Sequence, residues 1–383
     1  MRAPKFKILV VSNGHGEDQI AAAILRPLMA QCPTIQAVAI PLVGKGMAFS
    51  KLGILVLGEN PSFPSGGFIR GLWDLLRDLR AGLLPHLFRN RRIVGVAAKS
   101  VDLVICVGDV FCLLNAPRNP ARTIFIATAK SDLIAPHSRL EMRLMQRWSD
   151  WIVCRDSGTA QSLQSNGLNG CFLGNFIRDL VVVESPQPMK MDWPMVLLVP
   201  GSRDEAIANF AHMMKVVFQV KIRPLTWVLA KADVLPIEAF MSGAVQFGFT
   251  WEGDERDGFL GAFVGHDATT KIYVTSHFSQ ALQCATVVLG LAGTANEQAV
   301  YVGKPVICFE GFGPQSTMQR FQEQKRLLGE GLTVLSTNDV QTIADALLNQ
   351  LRDPNVRPVV SPGGMATLAI ADAIVTRFTI PQT

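Results

Sequence analysis

The chain has 383 residues, which is long enough for two domains that each bury a core of their own. Hydrophobic residues make up 49% of the sequence and charged residues 17%, and this composition excludes a globally disordered protein. The formal net charge of +5 is too small an excess to identify a nucleic-acid-binding protein.

The sequence predicts neither a membrane-spanning helix nor a secretory signal. No stretch reaches about 18 uninterrupted apolar residues, and the apolar run Ile8–Val11 is followed by the polar residues S-N-G-H-G. The seven cysteines contain no C-x-x-C pair, and the six histidines contain no H-x-x-x-H pair. We therefore expect a cytoplasmic protein with free thiols, no bound metal and no cofactor.

Short apolar runs alternate with helix-length segments along the chain, and this alternation predicts βα units with parallel sheets. The first series of predicted strands is Lys7–Val11, Ala37–Leu42, Leu103–Val107, Thr123–Ala127, Trp151–Cys154 and Gly170–Leu173. The second series is Met195–Val199, Leu225–Leu229, Val287–Leu291, Pro305–Phe309 and Leu332–Leu335. The predicted helices include Asp18–Gln31, Asp156–Asn166, Asp204–Val220, Thr294–Val302 and Asn338–Leu351.

A proline-containing stretch at 184–194, E-S-P-Q-P-M-K-M-D-W-P, separates the two series and predicts an extended linker. The sequence thus predicts an α/β protein with two doubly wound, Rossmann-like domains facing a cleft. The predicted domains span residues 1–185 and 195–360, and residues 361–383 form a C-terminal helix that packs back on the first domain. In such domains ligands bind where the strands end, so functional residues are expected on the loops that follow strands.

In the first half, two loops carry candidate catalytic residues. Residues 12–18 read S-N-G-H-G-E-D between a predicted strand and a helix, where glycines admit a ligand and the helix N-terminus favours an anion. His15 and Asp18 are the candidates there, and a tight turn with a capping acid is the alternative. Asp109 follows another apolar strand in V-G-D-V, where it is either a catalytic acid or a helix cap.

In the second half, residues 199–203 read V-P-G-S-R directly after a predicted strand. The amides of Gly201 and Ser202 and the fixed charge of Arg203 suit a phosphate group. The alternative is an ordinary turn, but the combination favours a diphosphate contact.

The sequence G-L-A-G-T-A-N-E-Q-A at 290–299 is the strongest signal in the chain, because a strand ends, small residues turn and a helix begins. Phosphate oxygens could accept hydrogen bonds from the amides of Gly293 and Thr294. One turn further, Glu297 or Gln298 could accept from ribose hydroxyls. An ordinary βα unit is again the alternative.

Between residues 67 and 93, apolar residues recur at spacings of three and four with arginines among them, including Trp73, Leu76 and Arg77. A basic amphipathic helix of this kind can lie on an anionic membrane surface. Packing of the apolar stripe against a core is the more common explanation of such a pattern.

These motifs, in their order along the chain, resemble those of lipid-A-disaccharide synthase, an inverting GT-B glycosyltransferase that uses UDP-sugars. The family's S-G-E-x-S-G-D resembles residues 12–18, its P-G-S-R is intact at 200–203, and its S-G-T-A-x-x-E resembles residues 292–298. The order Glu297-Gln298 is also similar to that in UDP-N-acetylglucosamine 2-epimerases, which share the fold.

The first half departs from the family more than the second half does. Gly14 stands where the family has a glutamate, Asn175-Phe176 replaces its H-P pair, and Cys112 lies near the place of its second aspartate. The resemblance is therefore greater on the donor side than on the acceptor side.

The resemblance implies an inverting, metal-independent glycosyltransferase with two domains of the GT-B type. The second domain would bind the UDP-sugar donor, and the first would face a lipid-linked or amphipathic acceptor at the cytoplasmic face of a membrane, with contact through residues 67–93. Asp109 is the expected base, with His15 as second candidate. The alternatives are a UDP-sugar 2-epimerase and a non-catalytic nucleotide-sugar-binding protein.

Overall fold

The computed structural model describes residues 6–58, 83–116, 121–181, 189, 193–221, 224–352, 365–378 and 380. The chain divides into two compact units: unit 1 comprises residues 1–180 with 363–383, and unit 2 comprises residues 181–362. Each unit has its own β-sheet and its own buried apolar side chains. In the described part of the chain, no helix is long and apolar enough to cross a membrane.

Unit 1 is built on a sheet with the strand order β3-β2-β1-β4-β5-β6-β7, in which all described pairs are parallel. Its strands are β1 (Phe6–Ser12), β2 (Ile35–Pro41), β3 (Leu55–Val56), β4 (Leu103–Gly108), β5 (Arg122–Ala127), β6 (Trp151–Cys154) and β7 (Gly170–Cys171). Its helices up to this point are α1 (His15–Gln31), α2 (Met47–Lys51), α3 (Leu83–Ala97), α4 (Val110–Asn115), α5 (Arg139–Trp148) and α6 (Ser157–Ser165).

The central strands of unit 1 are buried on both faces, as their uninterrupted apolar runs predict. All six residues of β4, L-V-I-C-V-G, are buried, and in the register of β1 with β4 Ile8 lies opposite Leu103. Side chains on one face of the sheet form a single cluster with buried residues of α3 to α6, among them Val94, Leu113 and Met145. These helices therefore cover the same face of the sheet.

Unit 2 is built on a sheet with the strand order β10-β11-β12-β9-β8-β13-β14-β15 among the described residues. Its strands are β8 (Met195–Val199), β9 (Thr226–Ala230), β10 (Phe249–Arg256), β11 (Phe259–Gly265), β12 (Lys271–Thr275), β13 (Val287–Gly290), β14 (Val306–Cys308) and β15 (Leu332–Val334). Its helices are α7 (Glu205–Gln219), α8 (Ile237–Val245), α9 (Phe278–Cys284), α10 (Gly293–Tyr301), α11 (Met318–Leu328) and α12 (Val340–Arg352).

One edge of the unit 2 sheet differs from the expectation of parallel strands. β10 pairs with β11 and β11 pairs with β12 in antiparallel fashion, and only β12 returns to a parallel pairing with β9. The apolar-run criterion does not detect β10, because most of T-W-E-G-D-E-R at 250–256 is exposed and polar. The strand carries edge charges that discourage pairing with another chain.

The last described helix, α13 (Ala366–Phe378), belongs to unit 1 and packs on α1. Ile370 and Ile374 are fully buried, and Asp372 accepts a hydrogen bond from Gln31 Nε2 at 2.6 Å. At the start of the helix, the backbone N–H and hydroxyl of Thr367 both donate to Asp179 Oδ2. The chain thus returns to its first unit after completing the second.

The alternation of strands and helices in both units confirms the predicted class: two Rossmann-like α/β units with mostly parallel sheets. Residues 59–82, which contain most of the amphipathic segment expected at 67–93, lie outside the described residues.

Candidate functional site

Three loops of unit 2 end at one edge of its sheet. They follow β8, β13 and β14, at residues 200–204, 291–292 and 309–317, and these three strands are parallel neighbours. Because the carboxyl ends of parallel strands meet at the same edge, the loops lie side by side. The two phosphate-type motifs expected from the sequence are the first and second of these loops.

The buried side chain of Asn209, on α7, joins the first loop to the third. Its Nδ2 donates to the carbonyl of Pro200 at 2.9 Å and to that of Phe312 at 3.3 Å, and its Oδ1 accepts from the N–H of Phe312 at 2.7 Å. Phe312, which is 103 residues from Asn209 in sequence, is thereby held next to the loop that follows β8. Because both the Nδ2 donor and the Oδ1 acceptor of Asn209 form hydrogen bonds, this side chain holds the first and third loops at a fixed spacing.

The buried Ser316 joins the third loop to the second, because its hydroxyl donates to the carbonyl of Leu291 at 2.7 Å. Close contacts require glycine within the third loop, where a Cβ on Gly311 would lie 2.6 Å from Asn209 Oδ1. All three loops are therefore positioned by buried hydrogen bonds. Sequence reasoning did not identify Asn209 or Ser316, although the glycines of G-F-G-P-Q-S at 311–316 are a signal that could have drawn attention to this loop.

The first loop places Gly201, Ser202 and Arg203 just before α7. Gly201 has φ +119°, a conformation that residues with a side chain rarely adopt. Ser202 is exposed and Arg203 half-buried. The side chain of the N-cap residue Asp204 makes no capping hydrogen bond. The N–H groups in the first turn of α7 therefore receive no hydrogen bond from Asp204.

The second loop leads directly into α10, which begins at Gly293. Its N-cap residue Ala292 has no side chain able to cap the helix, so the N–H groups of the first turn receive no hydrogen bond from it. Thr294 is exposed, whereas Glu297 and Gln298 are buried inside unit 2. The contact of Glu297 or Gln298 with ribose hydroxyls stays a prediction.

Two glutamine side chains flank Gly293. The buried Gln324, on α11, donates from Nε2 to the carbonyl of Gly293 at 2.8 Å, and Gln315 Oε1 would lie 3.6 Å from a Cβ on this glycine. Among the described residues, Gln324 Oε1 and Gln315 Nε2 are buried without a hydrogen-bond partner. Most buried polar atoms in proteins bond to protein or water, so these two atoms are available to a ligand or a water molecule. The sequence motifs did not point to either glutamine.

In unit 1, the loops after β1 and β4 lie together. The N–H of Asn13 donates to the carbonyl of Val107 at 3.2 Å, and a Cβ on Gly108 would lie 2.8 Å from Asn13 Cγ. Gly108 also has φ +152°. Glycine is therefore needed where these two loops meet, both because of this backbone conformation and because a Cβ would be too close to Asn13.

Asp18, in the first turn of α1, is almost completely buried, at 1% exposure, and lies beside Ser12, the last residue of β1. The hydroxyl of Ser12 donates to its Oδ1 at 2.5 Å, while its Oδ2 is buried without a partner among the described residues. Burial raises the pKa of Asp18 from 3.8 to about 7, against the lowering effect of the Ser12 hydrogen bond and with a smaller raising effect from Glu17. This carboxyl can therefore hold or release a proton near neutral pH.

Asp109 is the N-cap of α4, and its Oδ1 accepts a hydrogen bond from the N–H of Cys112 at 3.0 Å. The capping role considered from the sequence is thus present, with one carboxylate oxygen used for it. His15 begins α1, and its side chain lies outside the described residues. In the described part of the chain, no three His, Cys, Asp or Glu side chains are grouped so that they could hold a metal ion.

No protein-family model and no curated protein matches the sequence. Solved structures do resemble the fold. MnaA of Staphylococcus aureus, in a co-structure with UDP, is 15% identical at a TM-score of 0.62, covering 99% of this chain and 98% of that one. UDP-GlcNAc 2-epimerase of Neisseria meningitidis, bound to UDP-GlcNAc, is 14% identical at a TM-score of 0.57, covering 97% of this chain and all 100% of that one.

A third similar structure is MurG of Acinetobacter baumannii, which is 16% identical at a TM-score of 0.52, covering 97% of this chain and 100% of that one. At such identities the likeness establishes the fold. The chain has the two-domain architecture shared by UDP-GlcNAc 2-epimerases and GT-B glycosyltransferases.

Proposed function

We propose that the protein is a UDP-sugar-dependent enzyme and that unit 2 forms its nucleotide site. The observation that carries this proposal is the set of three loops after β8, β13 and β14, held together by Asn209 and Ser316 beside an uncapped helix start. A diphosphate needs N–H donors and positive charge at a preformed concave edge, and these loops supply both.

In this proposal, the diphosphate lies at the N-terminus of α10, where the N–H groups of Gly293 and Thr294 donate to its oxygens. Arg203 adds a charge-assisted hydrogen bond from the neighbouring loop. Gln315 Nε2, which is otherwise without a partner, can donate to a phosphate oxygen, whereas Gln324 Oε1 can only accept and therefore needs a ligand hydroxyl, such as one of the ribose or the sugar. A ligand that fills this place removes the cost of two buried, unsatisfied amide atoms.

Epimerisation of the bound sugar is the chemistry with the broader support from the comparisons, since the N. meningitidis 2-epimerase matches at a TM-score of 0.57 and MurG at 0.52 over the same share of the chain. Such a reaction needs two acid–base groups at the sugar ring and no second substrate. Asp18, whose pKa lies near neutrality, is the carboxyl of unit 1 to test first.

Inverting glycosyl transfer is the second candidate, and it is favoured by the order of the motifs that resemble lipid-A-disaccharide synthase. Its acceptor would be a lipid-linked or amphipathic molecule. Asp109 would accept the proton of the acceptor hydroxyl through the carboxylate oxygen that does not cap α4. UDP would leave as an anion, stabilised by Arg203 and the start of α10.

Incubation with UDP-GlcNAc and, separately, UDP-glucose tests both chemistries when the products are followed by NMR. A new UDP-sugar diastereomer without free UDP establishes epimerisation. Release of UDP that depends on an added amphipathic acceptor establishes transfer. Tight binding without turnover leaves a non-catalytic nucleotide-sugar-binding protein, and no measurable binding of UDP or either sugar nucleotide refutes the proposal as a whole.

A further inference from the structure

Unit 2 contains a cavity of about 520 Å³ beside its edge strand β10. The cavity lies between the β10–β11 hairpin, the residue that follows β9 and the first residue of α8, and it is open to solvent. Its volume falls within the range of roughly 300–1,000 Å³ that is typical of small-molecule sites. None of its described lining residues belongs to the proposed nucleotide site, so the nucleotide does not account for it.

The cavity lies at the same edge of the sheet as the nucleotide loops, but several strands away from them. Because β11 is antiparallel to both β10 and β12, β10 runs in the direction of the parallel strands and ends at their carboxyl edge. The hydroxyl of Thr275, at the end of β12, accordingly donates to the carbonyl of Gly258 in the hairpin turn at 2.7 Å. In the strand order, five spacings of about 4.8 Å separate β10 from β13, or about 24 Å. Trp251, on β10, therefore lies outside the proposed diphosphate site.

The indole of Trp251 lines the cavity and is held in one orientation by its neighbours. Its ring centroid lies 5.1 Å from that of the fully buried Phe263, at an interplanar angle of 56°. A Cβ on Gly261 would lie 2.8 Å from two carbon atoms of the indole, so the ring packs directly on this glycine. Gly253 is the cross-strand partner of Gly261. This pair of glycines places no side chain against the half-buried indole, which leaves an apolar surface for a ligand.

A β-bulge brings two carboxylates to the cavity. The register between β10 and β11 shifts after Gly253, so that two residues of β10 lie opposite one residue of β11. These two residues are Asp254 and Glu255, and both line the cavity. In a regular strand their side chains would point to opposite faces, and a bulge changes that alternation. Both residues are exposed, and Asp254 also forms an exposed ion pair with Arg256.

Lys231, which follows β9, supplies a positioned donor to the same cavity. Its Nζ donates to the carbonyl of Ala232 at 3.0 Å and to that of Leu235 at 2.7 Å. An ammonium group has three N–H donors, so one is left for a ligand. Ile237 and Leu260 add apolar lining. The cavity therefore combines an aromatic ring, two acceptor groups and one fixed donor.

A neutral carbohydrate is the ligand class that suits all of these groups. The C–H groups on one face of a sugar ring form an apolar surface, and an indole offers a large rigid area against which that surface can pack. Sugar hydroxyls donate and accept hydrogen bonds, so they can donate to Asp254 and Glu255 and accept from Lys231. An anion would meet two like charges in this cavity, and a cation would meet the ammonium of Lys231.

We propose that this cavity binds a neutral oligosaccharide. One sugar ring packs on Trp251, its hydroxyls bond to the two carboxylates and to Lys231, and the rest of the glycan continues through the open side into solvent. The uncovered indole, the bulge that gathers two carboxylates and the fixed ammonium carry the proposal. It goes beyond the proposed function, because it uses none of the candidate nucleotide or catalytic residues and holds for either chemistry.

Saturation-transfer NMR and calorimetric titration with maltotriose, cellotriose and chitotriose test the proposal on the full chain. Wild-type protein should transfer saturation to the ring protons of at least one of these neutral trisaccharides. Trp251→Ala should bind that trisaccharide at least about tenfold more weakly, because the aromatic packing surface is lost.

Gly253→Leu blocks the cavity without removing any of its groups. Gly253 has a negative φ, and a Cβ there would lie 3.5 Å from Trp251 Nε1, which is an ordinary contact. The variant should therefore unfold within a few degrees of wild type and lose trisaccharide binding. Trp193→Ala is the matched control, because it removes another indole of unit 2 that is 54% exposed. It should bind the trisaccharide within about twofold of wild type.

Four outcomes would overturn the proposal. They are no transfer to any of the three trisaccharides, equal losses in Trp193→Ala and Trp251→Ala, displacement of the trisaccharide by UDP, and binding of choline in place of the sugars. Choline is included because an indole beside carboxylates also suits a quaternary ammonium. Calorimetry with UDP alone reports on the nucleotide site separately. A protein that binds a trisaccharide through Trp251 but binds no UDP would refute the proposed function and leave the oligosaccharide site standing.

Discussion

At the scale of single residues, Asp18 is a carboxyl whose burial has a measurable consequence. Its pKa rises from 3.8 to about 7, so between these pH values the folded protein holds a proton that the unfolded chain releases. The free energy of unfolding should therefore fall as pH rises through this window, by an amount on the order of 4 kcal/mol in total.

Asp18→Asn removes this titration and keeps an oxygen that can accept from Ser12. We expect the variant to gain stability relative to wild type as pH rises from 4 to 8, by as much as ~4 kcal/mol. Urea unfolding of both proteins at pH 4, 6 and 8 measures the difference. A wild-type-to-variant difference that stays constant across this range would show that the carboxyl is not protonated in the folded protein.

Arg203 is the charged side chain of the proposed diphosphate site. Arg203→Ala should weaken UDP binding by ~1.5–3 kcal/mol, as expected for loss of a charge-assisted hydrogen bond. Arg256→Ala is the matched control, because Arg256 also lies in unit 2 but forms an exposed ion pair with Asp254 at 2.5 Å. Calorimetric titration with UDP should separate the two variants, and equal affinities would remove Arg203 from the site.

At the residue scale, residue types alone drew attention to the glycines and the charged residue of the candidate phosphate loops. They did not identify the side chains that hold these loops in place. Gly201, Arg203 and Gly293 stand out because their residue types suit phosphate. Asn209 and Gln324 lie inside helical segments, where a polar residue usually indicates only a solvent-facing position. Their role depends on contacts with residues 103 and 31 positions away, and no local pattern encodes such contacts.

At the scale of elements, α7 links two loops through Asn209. Asn209→Ala would leave the buried carbonyl of Pro200 and the part-buried N–H of Phe312 without that partner. We expect unit 2 to lose ~1–3 kcal/mol of stability and UDP affinity to fall as the loops lose their fixed spacing. Thermal denaturation with and without UDP measures both effects.

Asn166→Ala is the matched control for this substitution, because Asn166 is exposed at the end of α6 and bonds only locally, to the carbonyl of Ser162. It should change stability by less than ~0.5 kcal/mol and leave UDP binding unchanged. If Asn209→Ala behaved like this control, the hydrogen bonds of Asn209 would not be what holds the loops.

Most strands that are buried on both faces were predictable from the sequence, but β11 (Phe259–Gly265), which is almost entirely buried and apolar, was missed. β4 and β8 consist almost entirely of buried apolar residues, so their runs are visible in the sequence. β10 was not predictable by the same rule, because an exposed edge strand needs no apolar run and is stabilised mainly by pairing with β11.

At the scale of the whole molecule, the α/β class follows from the repeated alternation of buried strands and helices, which permits few topologies. Packing of the C-terminal helix on the first domain was expected for residues 361–383, but the return of α13 to unit 1 does not follow from such alternation. It depends on tertiary contacts such as that between Gln31 and Asp372, 341 residues apart in sequence.

Because the proposed nucleotide residues all belong to unit 2, UDP should stabilise that unit selectively. A ligand at 100 times its dissociation constant adds about 2.7 kcal/mol to the unit that binds it. Hydrogen–deuterium exchange with UDP should therefore slow in peptides covering residues 200–210, 291–300 and 309–324. Peptides from β1, β4 and α13 should exchange as they do without ligand.

The Arg203→Ala protein at the same UDP concentration is the control for this experiment, since weaker binding should return exchange in those three segments towards the ligand-free rates. The pattern also tests the division of the molecule. Slowed exchange that appears first in unit 1, with residues 291–300 unaffected, would place the nucleotide on the other sheet. Protection confined to the three loops of unit 2 would locate the nucleotide at the edge where β8, β13 and β14 end, because Asn209 and Ser316 hold these loops together at that edge.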